Sequence, residues 1–303
     1  MITTHQHKNL AWIDLQNPTK EEVLELATKY SLSTSIMSEL LAPSFKSKAE
    51  VHGGVIYAVL HFPAFRHGHA AANQEVDFVI GKDFLITAHY DAVEPIEAFA
   101  KVFEVNSILD KSELDDRGDK LFFLMAQSLY ESLTHEIDAI KDSLERIEDR
   151  IFAGEQKQMV SQLSGVARTL IDLRQGISLH ADALASLEME GSAIFGKKFS
   201  EGAIELRAEY IKIRLALRRN REYLQDLRDS NDSLLTTAQN ETTKFIATLA
   251  LVTSPISLIS GIFAMDSRFM PIVGLPNDFW ILIGIMLFCV AASWLIFNRK
   301  GWL

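Results

Sequence analysis

Cysteine is nearly absent. The 303 residues hold one, Cys289, which excludes an internal disulfide and a cysteine-cluster metal site. Basic residues are outnumbered, 30 against 40, and a net charge of −10 lacks the basic footprint that a nucleic-acid partner needs. The opening MITTHQHKNL has no apolar stretch of the signal-peptide kind, so a cytosolic leading body is expected. Nucleophile–base pairs are missing too. The segment from Gly191 to Lys198 approaches a phosphate-binding loop but ends in Lys where Ser or Thr is needed, and no strand is expected before it. His5, His7, His61, His67 and His69 read as exposed loop residues without a supporting cysteine, not as a metal site. An enzyme is therefore not expected.

Two long charge-free runs are present. Residues 245–265 (FIATLALVTSPISLISGIFAM) make 21 positions without a charge, and residues 279–297 (FWILIGIMLFCVAASWLIF) make 19. A hydrocarbon core of about 30 Å needs about 20 helical residues, so both predict membrane spans. Lys244 precedes the first, Arg299 and Lys300 follow the second, and the connection has Arg268 against Asp266 and Asp278. By the positive-inside rule both termini face the cytoplasm. Trp280 and Trp294 stand near opposite ends of the second span, with Trp302 beyond it, as an aromatic belt requires. Cys289 reads as a small apolar filler there.

The acidic body before the spans predicts an α+β domain over residues 1–118. WIDL (12–15) is a strand, and Pro18 in a first helical turn with Glu21 and Glu22 starts a helix. Residues 55–62, 75–80 and 84–90 predict strands, the last two joined by a hairpin at Gly81-Lys82-Asp83, and Pro95 fits a connection. Residues 119–202 then predict two long antiparallel helices. One has its seam at Leu133, Ile137, Ile140, Leu144, Ile147 and Ile151 and a break at Gly154. The other steps by seven through Leu163, Leu170, Ile177 and Leu184. Residues 191–202 predict a break. From Leu206 to Leu234 an apolar seam resumes, and no Pro or Gly occurs between Ala203 and Ser254. Residues 203–265 therefore form one helix of about 95 Å at 1.5 Å per residue, a stalk entering the first span.

A second face lies within that helix. Asn240, Thr243, Ala247, Ala250, Ser254, Ser257 and Gly261 step by three and four, and each is small or polar. Tight helix packing through small-xxx-small pairs is one reading, and a pore lining wide enough for water is the other. Two spans cannot enclose a pore, so conduction would require an oligomer. Pro255 gives no backbone donor and allows a kink.

WIDLQNPTKEE, GKDFLITAHY, SPISLISGIF leading out of the stalk, the Phe269-Met270-Pro271 that follows and the closing NRKGWL together resemble the CorA family of magnesium channels and their ZntB-type zinc-transporting relatives. The resemblance spans nearly the whole chain. It implies a funnel-shaped homopentamer in the cell's inner membrane, self-association being the main partnership besides the lipid bilayer and the divalent cations. It implies an outer loop at 266–278, a second span at 279–297 and a basic cytosolic tail at 298–303. It further implies Mg²⁺ as cargo, with Co²⁺ and Ni²⁺ as further substrates, and no other cofactor.

By position, the lining would be Asn240, Thr243, Ile246, Ala247, Ala250, Ser254, Ser257 and Gly261, with Ala264, Met265 and Asp266 at the outer mouth. The family's signature there is Gly-Met-Asn, or Gly-Ile-Asn in the zinc branch. Ala264 in place of Gly predicts a costlier left-handed helix exit. Asp266 in place of Asn predicts a ring of carboxylates. Regulatory Mg²⁺ bridging subunits would use carboxylates of the stalk such as Glu205 and Glu209. Two other readings stay open: a ZntB-like Zn²⁺ carrier coupled to protons, and a non-conducting or mechanosensitive relative.

Overall fold

The computed structural model describes residues 1–44, 46–63, 74–108, 117–265, 272 and 277–299. His67, His69, Asp266, Phe269-Met270-Pro271, Lys300 and Trp302, all singled out above, lie outside them. The chain divides into two units, residues 1–228 and residues 229–303.

The first unit is built on a six-stranded sheet. Its strands are β1 (Ile2–His7), β2 (Leu10–Gln16), β3 (Lys48–His52), β4 (Val55–Phe62), β5 (Gln74–Ile80) and β6 (Phe84–His89), in the spatial order β1-β2-β6-β5-β4-β3. Only the β2–β6 pairing is parallel, Trp12 lying beside Leu85. The others are antiparallel, with β5 and β6 joined by the expected hairpin. Two helices, α1 (Lys20–Tyr30) and α2 (Thr34–Glu39), cover one face, where Val23, Leu26 and Ile36 join Ile13, Leu15, Tyr57, Val79 and Ile86 in one core. Two others, α3 (Glu94–Ile108) and α4 (Gly118–Phe152), cover the opposite face. There Trp12 meets Phe99 and Phe103, and Phe78 meets Phe122 edge to face. With both faces covered, β6 is buried at every residue and β5 at all but its first, which is why these strands read as near-continuous apolar runs.

The helix ends correct several expectations. Pro18 precedes the α1 cap instead of sitting in its first turn. The cap is Thr19, closed by a capping box in which Glu22 N–H donates to the Thr19 hydroxyl and Glu22 takes the Thr19 N–H. Pro95 lies in the first turn of α3 rather than in a connection, a position where its missing N–H costs nothing.

The helix α5 (Gln156–Gly176) packs on α4, and α6 (His180–Phe195) follows it. The seven-residue rhythm from Leu163 to Leu184 thus crosses an interruption at residues 177–179, where Leu173 and Gln175 carbonyls are capped by the N–H groups of Ile177 and Ser178. The break expected across residues 191–202 shrinks to Gly196, at φ +81°, and α7 (Lys197–Phe263) begins at once. Gly191 belongs to α6, where a Cβ would stand 2.0 Å from the Phe199 ring; it permits close approach rather than ending a helix. The α7 seam is buried at Leu206, Tyr210, Ile213, Leu217, Asn220, Leu224 and Leu227.

Buried polar groups are tied into networks. His5 and His7 sit on β1 and are buried, not on an exposed loop; His5 stacks on Trp12 at 4.6 Å. Trp12 Nε1 donates to Thr87 Oγ1, whose hydroxyl donates to Asp14. His89 lies between the Asp91 carbonyl, 2.6 Å from Nδ1, and Asp14, 3.3 Å from Nε2. Burial opposes its charge, but Asp14 and that carbonyl outweigh burial and raise its pKa. Fully buried His180 is the reverse case. Its Nε2–H donates to the His61 carbonyl at 2.7 Å, and its Nδ1 accepts from the Tyr130 hydroxyl at 2.7 Å. Burial pushes its pKa down to about 4, so it is neutral.

Candidate functional site

The second unit comprises α7 from Asp229 onward and α8 (Asp278–Arg299). Both helices are long and apolar enough to cross a membrane, and neither apolar stretch is buried within the chain. Pro255 lies inside α7, where it has no N–H for the carbonyl one turn back.

Within the chain, every member of the small polar stripe is exposed: Asn240, Thr243, Ala247, Ala250, Ser254, Ser257 and Gly261. Ile246, placed beside them by resemblance, is exposed as well. A different set is half-buried. Thr248, Val252, Pro255, Ile259 and Phe263 step by four, three, four and four. At 3.6 residues per turn that set lies about 150° around the helix from the stripe. On α8, Leu282, Met286, Cys289 and Ser293, all half-buried, share one face. The sequence reading missed this α7 seam, because β-branched and apolar residues occur on every other side of a span and only burial singles one side out.

Hydroxyl chemistry follows the same division. Off the stripe, Thr248 on the half-buried seam and Thr242 and Thr253 between the two faces each donate to the carbonyl four residues back, at 2.9–3.0 Å. Among the described residues no hydrogen bond satisfies the side chains of Asn240, Thr243, Ser254 or Ser257. Their donors and acceptors point away from the half-buried side, available to water or to another chain.

At the end of α7, Ala264 N–H bonds to Ser260 O at 3.0 Å and Met265 N–H to Ile262 O at 3.3 Å. Neither residue has a positive φ. The helix therefore tightens into its exit without the left-handed residue that Ala264 was expected to strain. Asp266 follows, outside the described residues. Arg299 closes the last turn of α8, suited to the carbonyl end of a helix. In the first unit, Glu205 is exposed and Glu209 pairs with Lys212 at 2.6 Å. No group of three metal-ligating side chains converges among the described residues.

A family model described as "CorA-like Mg2+ transporter protein" matches residues 7–299. The chain is a member of the CorA family. Members of this family are transporters, so this CorA-family chain is a divalent-cation transporter and not an enzyme. It is similar to the cobalt/magnesium transport protein CorA of Methanocaldococcus jannaschii, at 22% identity over 97% of this chain and 92% of that one. It is also similar to the CorA of Thermotoga maritima, at 18% identity over 96% and 83%. The complete structure of the Methanocaldococcus jannaschii CorA superposes with a TM-score of 0.82 over 97% of this chain and 92% of that one. The full-length CmaX protein superposes at 0.75, with 16% identity over 97% and 89%. The cytoplasmic domain of ZntB from Vibrio parahaemolyticus superposes at 0.61, with 9% identity over 75% and 88%. The CorA fold thus extends over both units.

Proposed function

We propose that this CorA-family chain assembles into a homopentameric channel that carries Mg²⁺ across the cell's inner membrane, with both termini in the cytoplasm. The observation that carries this reading is the exposed stripe of α7. Among the described residues nothing bonds to its hydroxyls or to the Asn240 amide, and they lie on the side away from the half-buried seam. Five copies turning Asn240, Thr243, Ser254, Ser257 and Gly261 to a common axis, with Ile246, Ala247 and Ala250 between them, would enclose a polar path. Mg²⁺ dehydrates reluctantly. Groups that accept hydrogen bonds from its shell waters would pass it hydrated, which Ser and Asn side chains do and a ring of leucines would not.

At the outer mouth, beyond Ala264 and Met265, Asp266 would form a ring. Two carboxylates about 7 Å apart at an effective dielectric of about 20 repel by about 2.4 kcal/mol. Five could not all stay ionised without a bound cation. The ring would hold divalent ions more firmly than amides do, discriminate less among them and respond to pH. A regulatory Mg²⁺ on Glu205 or Glu209 would need ligands from a second copy, since Glu209 is engaged by Lys212 within one chain. Lys300 and Arg299 would anchor the cytosolic tail at the lipid headgroups.

The test is flux of Mg²⁺, Co²⁺, Ni²⁺ and Zn²⁺ in proteoliposomes, with and without a pH gradient. Mg²⁺ flux independent of the gradient is expected, with an Asp266→Asn profile flatter in pH than wild type. Zn²⁺ flux that requires the gradient would instead indicate a proton-coupled carrier. No flux of any ion would indicate a non-conducting or mechanosensitive relative.

A further inference from the structure

The antiparallel register of β4 and β5 sets Tyr57 opposite Val79, Val59 opposite Asp77 and His61 opposite Glu75. Side chains alternate along a strand, so Tyr57, His61, Asp77 and Glu75 all stand on the sheet face that α1 and α2 cover. Two carboxyl groups two residues apart on one strand are therefore held together beneath two helices. Asp77 is fully buried, and Glu75 is 7% exposed.

Their surroundings differ. Both Glu75 oxygens lie 2.8 Å from the Ser44 N–H, and Oε2 is 3.3 Å from His61 Nε2. Glu75 is thus furnished with donors. Asp77 has one, the Tyr57 hydroxyl, 3.1 Å from Oδ2. Its immediate neighbours across the sheet are Val59 and Ala88, which have none to give. Among the described residues nothing donates to Oδ1. A buried carboxylate oxygen without a donor is costly. Glu75 and Asp77 are buried neighbours on the same face of β5, but two carboxylates cannot hydrogen-bond to each other unless one carries a proton.

We propose that Asp77 and Glu75 form a proton-binding site in which Asp77 carries the proton and donates it to Glu75. The proton turns the orphaned oxygen into a donor and leaves Glu75 free to accept from the Ser44 N–H beside the His61 ring. Burial first, and then Glu75, push the Asp77 carboxyl well above the usual carboxylate range, while the Tyr57 hydroxyl works the other way. The other charged groups facing the pair are Glu39 of α2, which Lys48 of β3 neutralises at 2.7 Å, and Tyr90 beyond β6, which is kept a neutral phenol by burial and these acids. His61 continues the chain. Its Nε2 is 2.8 Å from the Ser44 carbonyl, and its own carbonyl accepts from His180 at the start of α6. Loss of the proton would set two adjacent anions against each other beside the Ser44 backbone, and loosen the anchor that joins it to β4 and α6.

The sign follows from the raised pKa. The stabilisation is present at low pH and is lost as pH rises from about 3.8 through the folded-state pKa of Asp77. The full-length protein in detergent is compared with Asp77→Asn, whose amide donates the same bond without a dissociable proton. Above pH 3.8 and up to that folded-state pKa, the wild-type melting midpoint should fall with a slope steeper by one released proton than that of Asp77→Asn. Equal slopes would overturn the proposal. Should Asp77→Asn prove too unstable to compare, infrared spectra of the wild type decide. A protonated-carboxyl stretch that is present in acid and vanishes on raising the pH, shifted to higher pH in Tyr57→Phe, is expected. No such band, or a Tyr57→Phe shift to lower pH, would also overturn it. None of these readouts depends on ion flux, so they stand apart from the channel reading.

Discussion

His180 shows how much one buried side chain can constrain. Both ring nitrogens are committed, one as donor to the His61 carbonyl and one as acceptor from Tyr130, and no solvent reaches it. Protonation would put a hydrogen where Tyr130 already donates. Because the folded-state pKa falls from 6.5 to about 4, the unfolded chain takes up a proton first as the solution is acidified. Stability is then lost progressively as pH falls from 6.5 to about 4, by about 3 kcal/mol from this residue. Thermal midpoints of wild type and His180→Gln at neutral and acid pH check this; the variant should lose less on acidification, and parallel losses would refute it. His89 and His61 act in the opposite sense. Their pKa values are raised, so their contribution is present below 6.5 and is lost as pH rises through the folded value. Stability is squeezed from both sides, with His180 limiting it as pH falls and Asp77, His61 and His89 limiting it as pH rises.

At the scale of elements, glycines with the same helical backbone have opposite roles. A Cβ at Gly191 would meet the Phe199 ring at 2.0 Å, and that ring is fully buried, stacked on Phe195 and tilted against Phe123. Gly165, in the middle of α5, has nothing within 4 Å. Gly191→Ala should therefore destabilise by about 1–3 kcal/mol through overpacking. Gly165→Ala should stabilise by about 0.5–1 kcal/mol by restricting the unfolded backbone. Melting midpoints moving in the same direction for both would refute the distinction.

The same contrast explains what could be read in advance. The strands β4, β5 and β6 and the seams of α4 and α7 announce themselves by runs and steps, because burial on a regular element imposes a period. The edge strands β1 and β3 do not, since ITTHQH and KAEVH mix polar residues on their open sides. Gly191 looked like a breaker because a ring lodged against its Cα leaves no trace nearby in the sequence. Nothing within EVDFVI singles out Asp77. Its burial depends on the strands beside it and on helices packed over the sheet, far away along the chain.

For the whole molecule, the decisive matter is what the stripe of α7 faces in the proposed assembly. Apolar residues alone cannot answer it, because lipid and a neighbouring helix accept Leu and Ile equally well. The lone Cys289 makes a direct experiment practical, since Cys289→Ala leaves a chain without thiols. Single cysteines placed at Ser254 and Ser257 report the stripe, and others at Val252 and Ile259 report the half-buried side. A hydrophilic, membrane-impermeant thiol reagent reacts with thiolates, which form only where water reaches. If the stripe lines a hydrated path, cysteines at 254 and 257 should be modified in intact proteoliposomes and their modification should block cation flux. Those at 252 and 259 should stay unreacted. Added Mg²⁺ should slow the first pair by occupying the path and leave the second pair unaffected. Reaction on the 252/259 side with silence on the 254/257 side would turn the helix around and give the polar stripe to helix packing instead.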